Sequence, residues 1–314
     1  SYRVLRLNSL DDVAQAIRSM QVRGAPLIGV SAAYGIALAL SRRADDATLL
    51  AALQTLAATR PTAVNLHWAL ARVQACLLPL PAAARAAAAW LEAGRIADED
   101  VDQCRRIGTH GLQRLLSCRR AGRHRLEIMT HCNAGWLATV DHGTALAPVY
   151  AAFDAGIDSH VWVSETRPRN QGLLTAWELR QHGVPHTVIA DNAAGLLLAR
   201  GTIDVVIVGA DRIAANGDVA NKVGTWLKAL AAQAAGVPFY VAAPRSTIDF
   251  ACASGGDIPI EERAADELRL VHGCDAAGQP GVLRQLSADE AVANPAFDVT
   301  PASLVSALIS ERGA

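Results

Sequence analysis

Apolar positions recur at helical spacing through the first third of the chain, then give way to short apolar runs separated by polar loops. Up to about residue 120 this pattern predicts helix after helix. Ser9, followed by Asp11 and Asp12, opens the first, because a hydroxyl cap and first-turn carboxylates satisfy free amides. Pro26 begins the second, where its missing N–H costs nothing. Thr62 reads as the cap of a third, and alanine-rich helical segments fill 81–118. The basic, glycine-containing stretch 119–125 breaks the pattern, so residues 1–122 read as a mainly helical N-terminal domain and 123–314 as an α/β domain. There, β-branched or apolar runs at 126–130, 160–164, 186–190, 204–209 and 239–243 alternate with helical stretches at 144–155, 172–182, 193–200 and 221–235. Such alternation predicts βαβ units and a Rossmann-like, doubly wound parallel sheet.

Composition narrows the function without changing the fold. The 314 residues are 51% apolar, enough for a substantial core. Basic and acidic residues nearly cancel at a net charge of -1, which argues against nucleic-acid or membrane-surface binding and for a small-molecule partner. Six cysteines form no C-x-x-C pair and no secretory leader is visible, which predicts a reducing, cytoplasmic setting. The uncharged stretch 24–41 falls short of the roughly 20 residues that cross a membrane and reads as a buried helix. Lys222 and Lys228 are the only lysines in an arginine-rich chain, which draws attention to their chemistry.

In an open parallel sheet, ligands bind beyond the carboxyl ends of the strands. Five successive strand ends here are polar: His131, Cys132 and Asn133; Glu165, Thr166 and Arg167; Asp191 and Asn192; Asp211 and Arg212; Arg245 and Ser246. Asp211 directly follows an apolar run, so it is either a desolvated general acid or base, or a loop-bracing aspartate. Cys132 is either a proton carrier whose neighbours favour the thiolate, or a small buried hydrophobe. Asn221 and Lys222 fall on the first turn of the helix placed at 221–235, where free amides and an ammonium suit a phosphate; the alternative is an exposed lysine. Arg23-Gly24-Ala25-Pro26 and Thr59-Arg60-Pro61-Thr62 sit at helix–helix turns, with a guanidinium free either for an oxyanion or for solvent. No H-E-x-x-H, Walker A, G-x-G-x-x-G or G-x-S-x-G pattern is present, so neither a metal nor a nucleotide cofactor is expected.

Taken together, Arg23-Gly-Ala-Pro-Leu-Ile-Gly, Thr59-Arg-Pro-Thr-Ala-Val-Asn-Leu, Thr130-His-Cys-Asn-Ala-Gly, Glu165-Thr-Arg-Pro, the run Gly209 to Lys222, Pro259-Ile-Glu-Glu-Arg and Asn294-Pro-Ala-Phe-Asp-Val-Thr-Pro resemble the methylthioribose-1-phosphate isomerases across nearly the whole chain. That resemblance implies a cofactor-independent aldose–ketose isomerase acting on a phosphorylated pentose in methionine salvage. It also implies a homodimer related to regulatory subunits of a translation initiation factor. By matching motifs it implies Cys132 and Asp211 as the catalytic pair, and Arg23, Gly24, Ala25, Arg60, Gln171, Asn221 and Lys222 as substrate-binding positions. Family members begin with a strand-containing segment ahead of the first helix, whereas this chain starts at Ser1. Arg169 and Asn170 replace more apolar residues before Gln171, which bears on substrate preference. Sister isomerases of 5-deoxyribose 1-phosphate or ribose 1,5-bisphosphate, and a non-catalytic regulatory subunit, are the rival readings.

Overall fold

A computed structural model describes residues 3–314; Ser1 lies outside them. The chain begins with five helices: α1 (Leu10–Arg18), α2 (Ala25–Leu40), α3 (Asp46–Ala57), α4 (Val64–Leu77) and α5 (Ala82–Cys118). Ser9 caps α1 as expected, its hydroxyl accepting the Asp12 N–H at 3.1 Å. Helix α2 is apolar all round and packs centrally, with Ile28, Val30, Ile36 and Leu40 in one core with Leu49, Leu56 and Leu66. No helix among the described residues is long and apolar enough to cross a membrane. Thr62 caps nothing: the third helix is α3, whose cap is Asp45, accepting the Thr48 N–H at 2.8 Å, and α4 starts two residues past Thr62. Capping chemistry at Asp45 outweighs a pattern of alanine and leucine too uniform to show its own boundary.

Helix α5 is one 37-residue element, about 55 Å long at 1.5 Å per residue. It carries Ala93 and Ile96 into the helical core and Ile107 and Leu115 into the core beneath the sheet. Midway, Asp100 is buried, accepts the Val140 N–H at 2.7 Å, and is pushed by desolvation up to about 6. A carboxyl whose folded-state pKa is raised contributes its full stability below its unfolded value and loses it as pH climbs through the folded one. Asp100→Asn, which keeps the acceptor for Val140, is therefore expected to stabilise the protein at pH 7 by roughly 1–3 kcal/mol and to leave it unchanged at pH 4. Paired thermal melts at the two pH values check this, and an equal effect at both would contradict it.

After α5 the chain runs through β1 (Leu126–Thr130), α6 (Ala147–Asp154), β2 (Ser159–Ser164), α7 (Gln171–His182), β3 (His186–Ile189), α8 (Ala193–Ala199) and β4 (Val205–Val208). Then come β5 (Arg212–Ala214), β6 (Val219–Lys222), α9 (Thr225–Ala234), β7 (Phe239–Ala242), β8 (Ile248–Asp249), the hairpin β9 (Leu270–Cys274) and β10 (Pro280–Arg284), β11 (Phe297–Thr300) and β12 (Ala307–Ile309). Six strands pair in parallel in the order β3-β2-β1-β4-β7-β12. The chain winds outward from β1 to β3, then restarts beside β1 at β4. Their carboxyl ends therefore diverge into a crevice, the topological switch point of a doubly wound sheet.

A smaller sheet, β11-β6-β5-β8, grows from the segment after β4. It corrects one expectation. Asn221 and Lys222 end strand β6, paired antiparallel with Asp298 and Phe297, and do not open a helix. Gly224, at φ +98°, turns the chain into α9 three residues later. The amides there are also taken, since Asp298 accepts from Gly224 N–H at 2.6 Å and Trp226 N–H at 3.1 Å.

Candidate active site

Cys132 and Asp211 leave the sheet at the two strands flanking the crevice, Cys132 two residues after β1 and Asp211 three after β4. Both line one cavity, together with Arg23, Gly24, Ala25 and Asn221. A second cavity shares Ala25 and Asp211 with the first and is walled by Arg60, Arg212, Ile28, Ile258, Pro259 and Phe297. Residues far apart in sequence thus meet at the end of β4.

Cys132 is held in an unusual conformation. Its φ is +66°, and that of Thr166, a β-branched residue, is +67°. Each such residue costs about 1–3 kcal/mol and persists only where its surroundings over-determine it. Here the Cys132 N–H donates to Thr166 Oγ1 at 2.9 Å, and that hydroxyl donates to the Ser164 carbonyl at 2.9 Å. The Asp191 carboxylate braces the Thr166 loop, accepting the Thr166 and Arg167 N–H groups at 2.8 Å each, and the Ser164 hydroxyl. His131, buried beside them with Nε2 at 2.9 Å from the Val223 carbonyl oxygen, is driven by burial, and next by Lys228, down to about 3. It stays neutral and acts as an uncharged bracket.

Burial pushes the Cys132 thiol above its ordinary value, although Arg23 and Lys222 pull the other way and Asp211 adds to the rise. The cationic neighbours favour the thiolate as expected, but desolvation outweighs them, so the thiol is held protonated. Asp211 is partly exposed; its carboxyl is likewise raised by desolvation, against the pull of Lys222, Arg60 and Arg23. Its carboxylate makes no hydrogen bond or ion pair with any described residue, only its main-chain N–H being used, by the Ala220 carbonyl at 2.9 Å. It braces nothing.

The other positions differ in how closely they join this cavity. Arg23 donates to Asn133 Oδ1 and, at 2.7 Å, to the Asn133 carbonyl, with Nη2 3.9 Å from Cys132 Sγ. Gly24 has φ +96°, and a Cβ there would lie 2.4 Å from the Ala138 carbonyl oxygen, so no other residue lets Arg23 and Ala25 approach. Arg60 is buried and paired with Glu261 at 3.1 Å, but its Nε has no partner among the described residues; neither has Gln171 Oε1, although Gln171 lines neither cavity. Lys222 is buried rather than exposed, donating to the Ala296 carbonyl at 2.8 Å and lying 4.9 Å from the Phe297 ring centroid. Asn221 donates to Thr225 Oγ1 at 3.1 Å. Two buried polar residues of α7, Thr175 and Glu178, escape a sequence reading because a threonine and a glutamate inside a helix look like its wet face.

A family model described as the Initiation factor 2 subunit family matches residues 21–314. A methylthioribose-1-phosphate isomerase from Dechloromonas aromatica is 68% identical over 309 residues, 98% of this chain and 85% of that protein. Among solved structures, 5-methylthioribose 1-phosphate isomerase from Pyrococcus horikoshii OT3 superposes with a TM-score of 0.83 at 40% identity, covering 100% of this chain and 86% of that one. A structure from A. fulgidus described as translation initiation factor eIF-2B, subunit delta, gives a TM-score of 0.80 at 39% identity, covering 100% of this chain and 89% of that one.

Proposed function

Because the chain belongs to the Initiation factor 2 subunit family, among its methylthioribose-1-phosphate isomerases, we propose that Cys132 and Asp211 carry the isomerisation at the crevice between β1 and β4. The chain is an aldose–ketose isomerase that converts 5-methylthioribose 1-phosphate to 5-methylthioribulose 1-phosphate in methionine salvage. The observation that carries the assignment of the pair is Asp211 itself: a desolvated carboxyl with no hydrogen-bond or ion-pair partner among the described residues, facing the cavity that also holds Cys132.

A furanose with a phosphorylated anomeric oxygen cannot open as a free sugar does, so ring opening needs a proton on the ring oxygen. Asp211 supplies it as the bond from that oxygen to C1 breaks. The hydrogen on C2 then moves to C1, the C2 hydroxyl gives its proton back to Asp211, and C2 is left as the ketone. Held as a neutral thiol, Cys132 suits a direct hydride shift better than a proton relay, its polarisable sulfur lying against the electron-poor carbon and excluding water. Lys222, Arg60 and Arg23 all act on Asp211, with Glu261 paired to Arg60 offsetting part of their charge, and together they hold the one phosphate. Gly24, Ala25 and Asn221, which line the first cavity, complete the binding set, with Gln171 assigned to it by the family motif alone. Arg212 also lines the second cavity but is paired with Asp249, so the walls Ile28, Ile258, Pro259 and Phe297 favour an apolar substituent on C5 over a second phosphate.

Isomerisation in D2O, read by NMR of the ketose, tests the route: protium alone at C1 is the expected result, and solvent deuterium at C1 would replace the hydride shift by a proton relay. The same proposal extends to a homodimer in the cytoplasm. Exposed Leu173, Leu174 and Val188 near the outer edge of β3, and six free cysteines, support it.

A further inference from the structure

Helix α7 buries Ala176 and Leu179 in the ordinary way, but one stripe of it is inverted. Leu173 and Leu174 are 50% and 39% exposed, while Thr175 and Glu178 are wholly buried and Gln171 nearly so. Residues 171, 175 and 178 are spaced four and three apart, so they form one stripe along the helix. An inward polar stripe is costly unless every group on it is engaged. Two of its members are engaged by the dipeptide Cys132-Asn133. Thr175 Oγ1 donates to the Cys132 carbonyl at 2.7 Å and accepts from Asn133 Nδ2 at 3.1 Å. Glu178 Oε1 accepts from the same Nδ2 and from the Leu137 N–H, each at 2.9 Å, while Oε2 accepts from the Tyr150 hydroxyl at 2.8 Å. Gly135 makes room for this, because a Cβ there would lie 1.7 Å from Glu178 Oε2.

Asn133 passes the arrangement on. With its amide nitrogen fixed by Thr175 and Glu178, its two oxygens are left to Arg23, which donates to both. We infer that Thr175 and Glu178 are positioning residues for the isomerisation: Thr175 sets the main chain that carries the Cys132 thiol, and Glu178, through Asn133, aims Arg23 at the substrate phosphate. The inference rests on the roles proposed above for Cys132 and Arg23. Neither residue touches substrate. Both act by fixing groups that do, where a displacement of about 1 Å costs on the order of a hundredfold.

The two roles separate kinetically. Glu178→Ala, which frees Asn133 to turn, is expected to raise KM at least tenfold with kcat within threefold. Glu178→Gln is expected to restore most of the affinity, since its oxygen still accepts from Asn133 and Leu137 and its amide can donate to Tyr150. Thr175→Val keeps the shape but loses both hydrogen bonds, so kcat is expected to fall at least tenfold with KM little changed, and Thr175→Ser to recover it. Alkylation of Cys132 by iodoacetamide, followed on its peptide by mass spectrometry, is expected to change rate in Thr175→Val and not in Thr175→Ser. This readout is independent of the reaction. Folded Thr175→Val with wild-type kcat and wild-type alkylation, or folded Glu178→Ala with wild-type KM, would overturn the inference. Should Glu178→Ala not fold, the Thr175 pair decides. A fully active Cys132→Ser would instead overturn the proposed catalytic pair, while the alkylation comparison would still judge Thr175.

Discussion

Asp211→Asn is expected to lower kcat by about three orders of magnitude while substrate binding survives, because a general acid typically contributes 10²–10⁴-fold and an amide N–H is far too weak an acid to give up its proton. The substitution keeps the side chain's shape. It breaks no hydrogen bond, since the carboxylate makes none with any described residue, and the main-chain link to Ala220 is unaffected. It leaves a neutral side chain beside Arg23, Arg60 and Lys222, as the protonated acid also does, so a phosphorylated sugar is expected to bind about as tightly. Single-turnover kinetics beside calorimetric titration separates the two effects. Retained turnover would remove Asp211 from the mechanism.

Cys132→Ser carries the second large effect, a fall in kcat of at least a hundredfold. The conformation of the site should persist, because the hydrogen bonds that hold this residue at φ +66° run through its main chain to Thr166 and Thr175. What changes is the atom in the cavity. A hydroxyl is smaller, less polarisable and better hydrated than a thiol, so it covers the reacting carbons poorly and admits water. Steady-state kinetics with a thermal melt checks this, and a near-normal rate in a folded variant would return Cys132 to the role of a small buried hydrophobe.

The central sheet was legible because a buried parallel strand reads as a short apolar run and its exit as a polar loop. Val205 to Val208 followed by Asp211, and Leu126 to Thr130 followed by Cys132, carry that signal plainly. The small sheet carries none: its strands are two to four residues long, and β6 finds its partner β11 some seventy-five residues away. Asn221 and Lys222 therefore looked like the start of the helix that follows, with only Gly224 to mark the break. Thr175 and Glu178 were hidden for a different reason. A helix stripe that turns a glutamate inward beside exposed Leu173 and Leu174 inverts the pattern by which a buried face is recognised, although Leu179 keeps it, and polar groups buried at functional sites are where such inversions occur. The division at residue 122 remains a proposal, since α5 alone contributes to both cores.

The most direct test of the central claim supplies the purified protein with 5-methylthioribose 1-phosphate, 5-deoxyribose 1-phosphate and ribose 1,5-bisphosphate in parallel, without added metal or nucleotide, and follows ketose formation by NMR. A single cationic group beside apolar walls predicts the highest kcat/KM for the methylthio sugar and the lowest for the bisphosphate. Preference for the bisphosphate, or no turnover of any of the three, would contradict the account.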